Sequence, residues 1–117
     1  MELVTRKIRD VLVVGLAQPD TIEANNVGPF RESMADLVET NPRVLINMSN
    51  ITFLDSSGLG ALVAIWRRLS SREGEIKLCG IPPSVRTVFE ITRMHRVFEI
   101  YETEEKALAS FAGDLEN

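Results

Sequence analysis

Asp55, Ser56, Ser57 and Gly58 are the residues of this chain whose types and spacing are best suited to chemistry. They stand where an apolar run, Val44-Leu45-Ile46, and a short connection give way to a long apolar pattern of helical period. Asp, Ser and Gly at a helix start supply oxygens for unpaired backbone N–H groups and allow close backbone approach. A hydroxyl placed there is exposed and lies near the positive end of the helix dipole. A phosphate added to it would meet backbone N–H groups that suit an anion. The chemistry expected is therefore a modification switch on a serine, with Ser56 as the acceptor and Ser57 as second choice, since Ser57 more simply caps the helix or supports the loop. Asp55 either orients the hydroxyl, helps position a kinase's metal, or simply caps the helix. Gly58 reads as a point of tight backbone approach.

The elements that must hold these residues follow from hydrophobic patterning. Residues 2–8 alternate loosely, Arg9-Asp10 can turn, and Val11-Leu12-Val13-Val14 suits a strand buried on both faces. A tight link makes the two antiparallel neighbours. Residues 15–26 carry turn chemistry (Gly15, Pro19, Asp20, Asn25, Asn26) and form a surface loop with a role of its own. Val27, Phe30, Met34, Leu37 and Val38 keep helical spacing, with Asn26 as the cap and Pro29 tolerated in the first turn. Pro42 ends that helix by Asn41.

Residues 43–48 form the next strand, Ser49 and Asn50 break it, and Ile51, Phe53 and Leu54 pin the following loop onto the core. A helix then runs from about Ser57 to Ser71, with an inner stripe of Leu59, Leu62, Val63, Trp66 and Leu69. Ala61 and Ile65 carry apolar character around its side. Leu59, between Gly58 and Gly60, is the residue expected to be exposed for a partner. Residues 75–79 are a strand, a helix runs from Pro82 or Pro83 to Met94, and residues 97–101 are a short strand. Thr103 caps a last helix, with Ala107, Leu108 and Phe111 inward. The order is ββαβαβαβα, an α/β fold with a small mixed, largely parallel sheet. One domain spans residues 1–112, with a frayed tail at 113–117.

At 117 residues and 44% hydrophobic, the chain can bury a core without disulfides or metals, and Cys79 alone cannot form an internal disulfide. Thirteen basic against seventeen acidic residues give a net charge of −4, which argues against nucleic acid or an anionic membrane as the main partner. No run reaches the length of a membrane span and MELVTRKIRD has no apolar signal core, so a cytoplasmic protein is expected. His95 has no cysteine or histidine at metal spacing. The stretch L-D-S-S-G-L-G is not the G-x-S-x-G elbow of hydrolases, nor do its glycines form a nucleotide loop. No paired carboxylates suggest acid–base work. The chain is expected not to be an enzyme and to need no cofactor or metal; a hydrolase using Ser56 is a minor alternative.

Residues 45–60, L-I-N-M-S-N-I-T-F-L-D-S-S-G-L-G, resemble the signature of the STAS domain found in bacterial anti-sigma factor antagonists. The resemblance extends over V-L-V-V-G-L, Asp20 in the loop that follows, and L-C-G-I-P-P-S-V-R-T-V-F-E-I-T-R-M. It implies a small mixed sheet with helices mainly on one side. It implies that Ser56, directly after the motif aspartate, is phosphorylated by an anti-sigma factor that is also a serine kinase of the histidine-kinase-like ATPase superfamily. The unphosphorylated form then binds that kinase and frees a sigma factor, and a serine phosphatase restores it. Asp20 matches an acidic loop residue near the phosphosite, within Gly15-Leu-Ala-Gln-Pro-Asp20 rather than Gly-x-Leu-Asp, and Asn47 stands where an aspartate is common. The partner surface expected around Ser56 comprises Asp20, Asp55, Ser57, Gly58, Leu59 and Gly60. The alternative role on the same fold is a non-catalytic scaffold, or an accessory subunit of a signalling complex or transporter.

Overall fold

The computed structural model describes residues 1–115, with side-chain surroundings through Phe111. Strands β1 (Leu3–Ile8) and β2 (Val11–Leu16) form an antiparallel hairpin across a two-residue link, with Arg9 in the left-handed region at φ 58°. Then come β3 (Asp20–Ile22), α1 (Val27–Thr40), β4 (Arg43–Asn47), β5 (Ile51–Leu54), α2 (Ser56–Ser70) and β6 (Glu75–Cys79). The chain continues through α3 (Pro83–Ile91), a single 3-10 turn (Met94–Arg96), β7 (Glu99–Tyr101) and α4 (Glu104–Leu115). The main sheet runs β1-β2-β4-β6-β7, with every pair after the hairpin parallel. These are the five strands and four helices expected from the patterning.

The strand period of two divides the side chains between two layers. Leu12, Val14, Val44, Ile46, Ile76 and Leu78 face one side, where α1, α2 and α3 cover them. Val11, Val13, Leu45 and Cys79 face the other, under Ala107 and Phe111 of α4. Three helices on one face and one on the other is the arrangement of a mixed α/β layer fold.

Several local expectations need correction. The loops at 15–26 and 49–54 each contain a short strand, and β3 and β5 pair in parallel as a second, two-stranded sheet. Ile51 and Leu54 are buried as expected, but Phe53 is 51% exposed and pins nothing. The inner stripe of α2 is rotated: Ala61 and Ile65 are buried, whereas Val63 and Trp66 are half-buried. Asn26 does not cap α1. Its side chain turns back, donating to the Thr21 carbonyl at 2.7 Å and accepting from the Glu23 N–H at 2.9 Å, so it closes the β3–α1 loop instead. Thr103 does cap α4, accepting from the Lys106 N–H at 3.1 Å. The tail expected from Gly113 begins within the last turn of α4, and residues 116 and 117 lie outside the described residues.

Candidate functional site

The site is built by β5 delivering Asp55 to the N-cap of α2. Asp55 has extended backbone (φ −98°, ψ −174°), and its Oδ1 accepts the Gly58 N–H at 2.9 Å. Its other oxygen, Oδ2, accepts the Ala24 N–H at 3.0 Å. One carboxylate thus caps the helix and also fastens the β3–α1 loop to it. The Gly58 N–H foremost, with those of Ala24 and Ser57, holds the Asp55 carboxyl below the usual carboxylate range against the opposing effect of burial. Of the roles open to Asp55, the cap is the one this geometry displays, with the loop fastening added to it.

Gly58 is required by close packing. A Cβ there would lie 2.4 Å from the Ile22 carbonyl oxygen and 2.6 Å from Leu54 Cδ1. The second strand pair therefore seats directly on the first turn of α2, which is why the loop at 15–26 and the helix start form one surface. Gly60 carries no such demand, since a Cβ there would meet only Arg31 Nη2 at 3.6 Å.

Ser56 is the first residue of α2 and is exposed. Ser57 beside it is half-buried. The carboxylate next to the Ser56 hydroxyl is already engaged by Gly58 and Ala24. Leu59 is not the exposed residue expected of it: it is 8% exposed and belongs to the core. It forms part of the floor of a groove that starts at Ser56 and runs between α2 and the α3–3-10 segment, with Gly60, Val63, Val88 and Met94. Asp20 lies at the far end of β3. Its N–H donates to the Asn50 carbonyl at 2.9 Å and its Oδ1 accepts the Thr21 N–H at 2.8 Å. Thus Asp55, Ser56, Ser57, Gly58, Leu59 and Gly60 share the helix start, and Asp20 joins them only through the β3–β5 pairing.

The sequence did not single out Ala24, because its contribution is a backbone N–H. It did not single out Ile22, which forms the wall against Gly58, because Asp20-Thr21-Ile22 holds one apolar residue in a stretch of turn-forming types. Asn47 has a clear place. Its amide donates to Glu104 Oε2 at 2.8 Å, and Glu104 is also ion-paired with Arg6. Burial would raise the Glu104 carboxyl, but the hydrogen bonds from Arg6 and Asn47 outweigh it and hold the group low. An aspartate at position 47 would set two carboxylates against each other, so the amide fits this chain. Cys79 is buried, and burial with Glu104 nearby pushes its thiol up to about 11, which makes it unreactive.

No described helix is long and apolar enough to cross a membrane, and no described group of three or more His, Cys, Asp or Glu side chains converges as for a metal. The model of the STAS domain family matches residues 2–107. The chain belongs to the STAS domain family. A relative of this STAS domain, the Bordetella bronchiseptica protein BtrV, provisionally named an anti-sigma factor antagonist, is 29% identical over 111 residues, 95% of each chain. The anti-sigma F factor antagonist of Paenibacillus polymyxa is 24% identical over 102 residues, 86% of each chain. Among solved structures, the anti-sigma factor antagonist SpoIIAA in its unphosphorylated form superposes with TM-score 0.78 at 23% identity, covering 96% of this chain and 97% of that one. The phosphorylated form of SpoIIAA from Bacillus gives TM-score 0.69 at 20% identity, covering 94% and 99%. At these identities the structural likeness establishes the fold.

Proposed function

We propose that this STAS domain is an anti-sigma factor antagonist, a binding protein rather than an enzyme, switched by phosphorylation of Ser56. Its partner is an anti-sigma factor that is also a serine kinase of the histidine-kinase-like ATPase superfamily, and binding it releases a sigma factor. A serine phosphatase resets the switch. The observation that carries this reading is the exposure of Ser56 at the first residue of α2, beside a carboxylate already occupied in holding the helix start. The names of the relatives point the same way.

The physics of the switch is local. Phosphorylation adds roughly −1.5 to −2 charges beside Asp55. The helix dipole favours that charge by only ~1 kcal/mol. Desolvating it in an interface shaped for a neutral hydroxyl costs several kcal/mol, on the order of that for other buried unpaired ions. Each ~1.4 kcal/mol is a factor of ten in affinity. The phosphorylated protein therefore stays folded while the complex dissociates. Asp55, Ser57, Gly58 and Gly60 shape the contact, Leu59 supports it from beneath, and Asp20 borders it through β3.

The test is incubation of the purified chain with ATP and such a kinase, followed by phosphopeptide mapping. Phosphate on Ser56, absent from Ser56→Ala, is the expected result. Phosphate on Ser57 alone, or none on this segment, would remove the reading.

A further inference from the structure

The groove that begins at Ser56 continues well past it. Its floor is apolar, formed by Leu59, Val63, Val88 and Met94. Its far end is marked by Arg67, about three helical turns or ~16 Å along α2 from Ser56. Arg67 is exposed and makes no ion pair among the described residues. Arg93 and Arg96, on either side of Met94, are also exposed and likewise unpaired among the described residues. Elsewhere Arg6, Arg68, Arg72, Arg86 and Lys106 each have a carboxylate partner, whereas Lys7, Arg9 and Arg31 are exposed without one among the described residues but line no part of this groove. On a chain of net charge −4, an apolar groove with Arg67 in its wall, and Arg93 and Arg96 flanking its lining residue Met94, carries local positive charge without a paired carboxylate among the described residues.

The apolar surface also extends beyond the groove. Ile91 is 77% exposed, one turn from Val88 on α3. A bare isoleucine at that position contributes nothing to the core, and it enlarges the apolar area that a docked chain would cover.

We infer that the α2–α3 groove receives an amphipathic helical segment of the partner, its apolar face on Leu59, Val63, Val88 and Ile91 and its acidic side chains on Arg67, Arg93 and Arg96. This rests on the reading of Ser56 as part of a partner surface, and it adds the chemistry of what is bound. Ser56 then governs one end of the interface and Arg67 sets specificity at the other. The apolar contacts supply affinity and the arginines reject basic competitors.

The test uses the full chain and a synthetic amphipathic peptide about four helical turns long, with leucines on one face and glutamates on the other. A copy carrying lysine for glutamate is the control. The acidic peptide should bind and shift the NMR signals of Val63, Val88 and Ile91, with the lysine copy roughly tenfold weaker or worse. Arg67→Glu and Ile91→Asp, both at exposed positions, should each weaken the acidic peptide about tenfold while leaving the melting temperature in place. Equal binding of the two peptides, shifts on another face, no binding, or no effect of either substitution would overturn the inference. Kinase labelling of Ser56 with a peptide result of that kind removes only the groove. Peptide binding as expected, with no labelling of Ser56, removes only the switch.

Discussion

The two faces of the main sheet handle polar groups in opposite ways. Under α4 they are closed among themselves. Lys77 is 3% exposed, yet its ammonium donates to Ser110 Oγ at 2.8 Å, lies 3.5 Å from Glu99, and sits 4.5 Å from the centre of the Phe111 ring. Glu104 is held between Arg6 and Asn47. At the start of α2, on the other face, only the supporting carboxylate is tied down and the hydroxyl beside it stands in the open. The lesson is that burial of polar groups in this fold serves fixation, whereas the group left exposed on a rigid helix start is the one free to change partners.

The contrast breaks most visibly under α4. Phe111 is fully buried, and Phe111→Ala should cost about 3–5 kcal/mol in urea unfolding. Partner affinity per folded molecule should be unchanged. A loss of affinity beyond the loss of folded protein would show that the two faces are not independent.

Gly58→Ala acts on the other side. The new methyl must displace the Ile22 carbonyl or Leu54, so a destabilisation of about 3 kcal/mol is expected, near the top of the range for overpacking. Unlike Phe111→Ala, it should also weaken the partner, because β3 would be lifted off the helix start. Unfolding curves combined with a binding titration separate the two effects.

The smallest effect concerns Asp55. Its carboxyl is held low in the folded chain, so its contribution to stability is complete above the ordinary aspartate range, about pH 4. That contribution is lost as pH falls through the lower folded value. Asp55→Asn should flatten this acid limb of the stability profile and speed amide exchange at Ala24, with little change near neutral pH in the packing under α4. An unchanged Ala24 exchange rate would show that the loop is held without Asp55, by β3–β5 pairing and the Asn26 amide.

How much of this was legible in the chain depends on the length of each pattern. The five main strands and four helices were readable because runs such as Val11–Val14 and spacings such as Phe30, Met34 and Val38 repeat often enough to declare a period. β3 and β5 were not: β3 is buried at Ile22 alone and β5 only at its ends, Ile51 and Leu54, so neither shows the alternation that Phe98 and Ile100 lend to the equally short β7. The Asp55-Ser56-Ser57-Gly58 turn was visible as capping chemistry and Gly58 as a tight approach, and both readings match the geometry. Leu59 misled because flanking glycines suggest openness, whereas Gly58 brings β3 close and lets Leu59 turn inward. Asn26 misled because the same amide that caps helices also closes turns. Ile91 and Arg67 gave no warning: an isoleucine at helical spacing reads as core, and an arginine on an outer helix face reads as solvated.

The central claim is that the exposed Ser56 hydroxyl controls adhesion to the partner. Its most direct test is the dissociation constant of an anti-sigma factor of the serine-kinase class for Ser56→Ala and Ser56→Asp, measured on proteins of matched stability. The account expects Ser56→Ala to bind at least about tenfold more tightly than Ser56→Asp. Equal affinities for the two would contradict it.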